Sequence, residues 1–127
     1  MAPISDSYSI CTGIQGRWTE TFIRNNTTGC SSVKNETIYD NHVISITYEE
    51  KAHFREAVVR VSLSSELSDR FPLRVIPGNK TFTADGDEHD AINAVQKEVY
   101  RYVTHVKKTL DYNLDSLASG YIHEKVA

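Results

Sequence analysis

The sequence predicts an α+β fold, an antiparallel sheet of five or six strands followed by a long C-terminal amphipathic helix and a short terminal helix. Three observations carry this. Short segments before residue 85 alternate apolar and polar residues at period two; Gly, Pro and Asn punctuate them; and one long stretch after Asp87 repeats its apolar residues every three or four positions.

Tyr8–Gly13 is a short first strand ended by its glycine, and Arg17–Arg24 places Trp18 and Phe22 on one side. The polar run Asn25–Ser32 reads as a loop. His42–Tyr48 aligns Ile44, Ile46 and Tyr48, and Phe54–Leu63 aligns Ala57, Val59, Val61 and Leu63, with Val58 opposite marking a central strand. Phe71–Ile76 and Lys80–Ala84 flank Pro77-Gly78-Asn79, which predicts a hairpin closed by a type II turn.

The helix begins at Asp87, an N-cap with Asp90 three residues on, and acids crowd its start while Lys107 and Lys108 lie towards its other end. Ile92, Val95, Val99, Tyr102, Val106 and Leu110 form its apolar stripe as far as Tyr112, and Leu114, Leu117 and Ile122 predict the short second helix, ended by Gly120. The expected core is Trp18, Phe22, Ile44, Ile46, Val59, Val61, Val75, Val95, Val99 and Val106. Tyr100, Val103 and Tyr121 fall outside the stripe, so their apolar surface predicts at least a homodimer.

The 127 residues suit a single domain, and 14 Lys and Arg against 17 Asp and Glu (net −3) argue against a general nucleic-acid coat. No apolar run reaches the roughly 20 residues of a membrane span. The first residues, Met1–Asp6, lack the basic and apolar parts of a secretory leader, so Cys11 and Cys30 are expected as reduced thiols. The four Asn-x-Ser/Thr matches, at Asn25, Asn26, Asn35 and Asn79, are read as loop composition.

Nucleophile-elbow, phosphate-loop, dinucleotide and zinc-protease motifs are absent, and the five histidines never pair at ligand spacing, so a non-catalytic protein without metal or cofactor is expected. The acids around His89 are assigned to helix capping. Beside the apolar stripe, Asn93, Lys97, Arg101, Thr104 and Lys108 follow at steps of four, four, three and four and share one face. With the aromatic Phe82 just before the helix, this set suits a nucleotide: stack the base, read an edge, neutralise phosphate. The alternative is that this face is only solvated and that Phe82 belongs to the core.

Two resemblances bear on this choice. The stretch Phe82–Val95, running into Lys107-Lys108, together with the strand Ala57–Val61, resembles ribosome hibernation factors. The same stretch is similar to phage anti-Thoeris proteins of the first type, which sequester signals of the cyclic ADP-ribose kind without cleaving them. That resemblance implies that Phe82 and Asn93 line a ligand pocket between protomers, with Arg101 or Lys107 as the phosphate partner from the facing copy. It further implies an anti-defence phage protein working in the host cytoplasm. The interval Thr27–Ser32 has no helical periodicity, where the hibernation factors carry a long helix, and this favours the phage proteins. The expected function is capture of a small nucleotide-like signal by a homo-oligomer. An RNA- or ribosome-binding regulator, or a self-assembling viral structural protein, is the alternative.

Overall fold

In the computed structural model, which describes residues 8–25, 31–51 and 55–119, the chain runs up and down through one antiparallel meander. Its strands are β1 (Tyr8–Gln15), β2 (Trp18–Asn25), β3 (Ser31–Tyr39), β4 (His42–Lys51), β5 (Glu56–Ser62) and β6 (Gly78–Thr83), each hydrogen-bonded to the next. A one-turn helix α1 (Ser65–Ser68) follows β5, and α2 (Glu88–Ala118) closes the described chain.

Turn chemistry sets the register. Gly16 opens the two-residue link between β1 and β2 with φ of 63°, and Gln15 pairs with Trp18 across it. Between β3 and β4 the two-residue turn is Asp40-Asn41, with φ of 52° and 66°, which pairs Tyr39 with His42. Two successive left-handed residues define the type I′ hairpin, and Asp and Asn are the non-glycine residues that tolerate it best.

The expected loop over 25–32 therefore needs correction: β2 includes Asn25 and β3 already begins at Ser31, while residues 26–30, with Cys30 and Asn26, lie outside the described residues. The strand from Ser31 to Tyr39 escaped the sequence pattern because two positions on its buried side, Asn35 and Thr37, are polar. Nor are the Asn-x-Ser/Thr matches all loop residues, since Asn25, Asn35 and Asn79 lie in β2, β3 and β6. β5 is an interior strand, one place from the β6 edge.

One face of the sheet carries the core. Trp18, Ile44, Ile46, Ala57, Val59 and Val61 pack there with Val95, Val99, Val103, Val106, Leu110 and Leu114 of α2, and Val33 is buried on the same face. Phe22 and Val75, both expected in the core, are only half-buried. Val103 is 7% exposed, which corrects its assignment to a free apolar flank; Tyr100, at 74% exposure, remains on the surface, and Tyr121 lies outside the described residues.

α2 starts where expected, with the Asp87 carboxylate accepting from the His89 N–H at 3.1 Å. It does not stop at Tyr112. Leu114 and Leu117 continue the same helix to Ala118, so no separate short helix forms among the described residues. Leu114 packs in the core, and Asp111 and Asp115 are held by Arg17. These contacts draw the last turns onto the sheet. Gly120 and Ile122 lie outside the described residues.

The expected hairpin of Phe71–Ile76 with Lys80–Ala84 does not form. Only Gly78–Thr83 is a strand, and it pairs with β5 from Glu56↔Thr83 to Val61↔Gly78. The backbone of Leu73 pairs with a side chain instead: its N–H donates to Asn113 Oδ1 at 2.8 Å, and Asn113 Nδ2 donates to its carbonyl at 2.9 Å. Asn113 is fully buried on α2. It holds the segment after α1 against the helix, where Leu63, Leu67 and Phe71 join the core.

Asn113→Leu keeps the branched heavy-atom shape and removes the partner of both Leu73 groups. A loss of about 1–3 kcal/mol is expected, because Leu73 is half-exposed and water takes up part of what Asn113 gives. Urea unfolding checks this, with Asn93→Ala, at an exposed position, as the unaffected comparison.

Candidate functional site

α2 crosses the sheet obliquely, which the contacts along its length define. Just before its start Arg55 of the β5 side donates to the Gly86 carbonyl at 2.9 Å, and at its middle Tyr102 meets Phe82 of β6. Near its end Trp18 Nε1 of β2 donates to Asp111 Oδ1 at 2.9 Å. A helix running from the β5–β6 side at one end to β2 at the other leaves two opposite corners of the sheet uncovered. The segment holding Leu63, Leu67 and Phe71 fills one. The other is open.

That open corner is a cleft of about 630 Å3 between α2 and β2–β4. Its floor is set by strand register. Glu20, Asn35 and Ile46 are direct neighbours across β2, β3 and β4, and Val33 and Tyr48 are neighbours in the next row of the same face. Glu50 stands two residues beyond Tyr48, hence on the same side of β4. The helix wall carries Gln96, Tyr100, Thr104, Lys107, Lys108 and Asp111, with Val99 and Val103 at its base. From Gln96 to Lys107 the wall runs about 16 Å at 1.5 Å per residue.

Two features distinguish this cleft from an ordinary surface depression. Asn35 is 1% exposed, and its Oδ1 has no hydrogen-bond partner among the described residues. A buried acceptor without a donor costs about 1–3 kcal/mol, and a central strand is a poor place for asparagine in any case. The second feature is electrostatic. Burial first, then the charges of Glu50 and Glu20, push the Tyr48 hydroxyl above its usual 10.0, so it stays a neutral phenol beside two carboxylates. Gln96 Nε2 reaches Glu50 Oε2 at 3.5 Å, linking helix wall to floor. The floor is thus rich in acceptors, while the mouth carries Lys107 and Lys108.

The six residues singled out in the sequence do not gather at one place. Lys107 and Lys108 line the cleft. Phe82 lies on the other flank of α2, its ring 5.5 Å from that of Tyr102, with Lys80 Nζ 5.6 and 5.7 Å from the two ring centres. Asn93 follows Tyr102 back along the helix by nine residues; at about 100° each this turns it to the opposite side. Phe82 and Asn93 therefore cannot line one site within a chain, and a pocket using both needs two copies. Asn93 is exposed with its amide 3.3 Å from His89 Nε2, Lys97 is exposed, and Arg101 pairs with Glu98 at 3.1 Å. Half-buried Phe82 packs against the core.

Sequence reasoning missed Asn35, Tyr48, Glu20 and Glu50 as a group. The available signal was the Asp40-Asn41 turn, which pairs β3 with β4 and so places Asn35 opposite Ile46; no such turn signal marks its pairing with Glu20. Among the described residues no group of three or more His, Cys, Asp or Glu is placed to hold a metal ion, and no helix is long and apolar enough to cross a membrane. Comparison with protein-family models, curated proteins and solved structures finds no match.

Replacing Asn35 by valine removes the unpartnered acceptor and suits a central strand better. Asn35→Val is expected to raise the stability of the ligand-free protein by about 1–2 kcal/mol, measured as a higher urea midpoint. Tyr48 yields a pH test. A phenol whose pKa is raised by folding stabilises the fold fully below the unfolded value and progressively less as pH rises past 10.0 towards the folded value. Stability should therefore fall above pH 10, and Tyr48→Phe should flatten that fall.

Proposed function

We propose that the protein is a non-catalytic binding protein that captures a small nucleotide-like ligand in the cleft between α2 and β2–β4. The observation that carries the reading is the buried Oδ1 of Asn35, without a partner among the described residues, at the floor of an open cleft. Such an acceptor is costly in the empty protein and useful once a ligand donor meets it. Tyr48 and Tyr100 offer aromatic faces from sheet and helix, and Lys107 and Lys108 offer cations for phosphate at the rim. The likeness of Phe82–Val95 to the phage signal-sequestering proteins supports the nucleotide class. Exposed Ile38, Val43 and Ile76 give a second copy apolar surface to cover, so the proposed active form is a homo-oligomer. Phe82, Asn93, Lys97 and Arg101 then serve packing, the helix surface or contacts between copies.

Calorimetric titration with mono- and cyclic nucleotides tests this, with saturable binding expected and the ligand recovered unchanged by chromatography. Tyr100→Ala should weaken binding by about 1–3 kcal/mol, the cost of losing one base stack, without lowering the melting temperature. Lys107→Ala should weaken it by an amount that shrinks as salt rises. No binding at millimolar nucleotide overturns the reading.

RNA binding is the second reading, favoured by the other face of the sheet. There Thr21, Lys34, Thr47, Arg60 and Asn79 stand side by side across five strands in direct register, a row of hydroxyls, cations and an amide that α2 does not cover. Lys34 lies 3.5 Å from Glu36, and Arg60 Nε donates to Asn79 Oδ1 at 3.0 Å, so part of this donor capacity is already used. The cleft reading comes first for that reason. Salt-dependent retention of an RNA oligonucleotide, lost in Arg60→Ala and kept in Tyr100→Ala, would instead select the open face.

A further inference from the structure

Resting on the cleft reading, we infer that the group recognised at the floor is an amino-substituted base edge, so the site selects adenine, guanine or cytosine nucleotides over hypoxanthine and uracil ones. The argument is one of matching donors to acceptors. Asn35 Oδ1 is buried and unpartnered, and its direct neighbour across β2 and β3 is Glu20. Glu50 lies on the same face beyond Tyr48, and both charged floor groups are carboxylates, which only accept. The neutral Tyr48 hydroxyl has a single proton to give.

A ligand that turns a carbonyl oxygen to this floor meets two negative charges, with only the Asn35 amide NH2 and the Tyr48 hydroxyl to donate to it, and leaves Asn35 Oδ1 without a donor. One that turns an exocyclic amine there supplies Asn35 Oδ1 with the donor it lacks among the described residues. Guanine presents its amine beside a ring N–H, a donor pair that meets a carboxylate in two parallel bonds. Adenine and cytosine present an amine alone. Hypoxanthine and uracil put a carbonyl where adenine and cytosine carry that amine. Phosphate then lies outward, away from Glu20 and Glu50 and towards Lys107 and Lys108. A site with a buried acceptor discriminates strongly against an analogue lacking the donor, because the acceptor is left unpaired in the complex.

The test uses the full chain and two matched sets: AMP and GMP against IMP, and CMP against UMP, titrated by calorimetry. At least tenfold tighter binding of the amino-bearing member is expected in each. Asn35→Val, which folds at least as stably on the argument above, should bring AMP and GMP down to the affinity of IMP. Equal affinities within both sets overturn this inference and leave nucleotide capture standing. Tighter IMP and UMP overturn it and reverse the ligand's orientation. If none of the five nucleotides binds, nucleotide capture fails and this inference with it.

Discussion

The fold depends on a bond pattern in which one side chain does the work of a strand. Asn113, buried on α2, pairs with both backbone polar groups of Leu73, at 2.8 and 2.9 Å. The part-buried N–H and carbonyl of Leu73 have no ladder in this segment to pair with. Because Asn113 pairs with them, the chain between α1 and β6 can leave the sheet plane and lie along the helix. It carries Phe71 into the core, following Leu63 and Leu67, and half-buried Val75 packs against that core. That filling of one corner, with Arg17 and Trp18 bound to Asp111 two residues away on the opposite flank of the helix, fixes the last turns of α2 on the sheet. The open cleft is the geometric remainder of the oblique crossing.

What was legible in the sequence follows from which forces are local. Alternation found β2, β4 and β5 because their buried positions are apolar, and the three-to-four spacing found α2 because its stripe is nearly unbroken. Capping placed its start at Asp87. Local signals failed where a polar residue took a buried place. Asn35 and Thr37 concealed β3, although Asp40-Asn41 encoded its hairpin, and Asn113 undid the Pro77-Gly78 hairpin from forty residues away. The end of α2 escaped for a related reason: Leu114 and Leu117 fit both a new helix and a continued one, and only packing on the sheet decides.

The candidate site was less legible than the fold. Lys107 and Lys108 were found because cations at helical spacing are visible in any sequence. Phe82 and Asn93 were paired by proximity in the chain, yet the helix turns them to opposite flanks. Phe82 meets Tyr102, a partner chosen by tertiary packing. The floor of the cleft is assembled from β2, β3 and β4, and no linear pattern joins Glu20, Asn35, Tyr48 and Glu50. Only the register does.

The two corners left by α2 differ in composition, and the difference has physical content. The corner closed by the chain itself is lined with Leu63, Leu67 and Phe71, as expected of a surface that water must leave. Had the other corner been shaped merely to receive another apolar element, the same rule would make it apolar. It holds instead Glu20, Asn35, Tyr48 and Glu50, with an acceptor sealed from water and from any donor among the described residues. Asparagine here weakens both the strand and the packing, at a position where Val or Ile would strengthen both. A local rule broken without any gain inside the fold points to a gain outside it. The cleft has room for the ligand proposed to compensate for that asparagine.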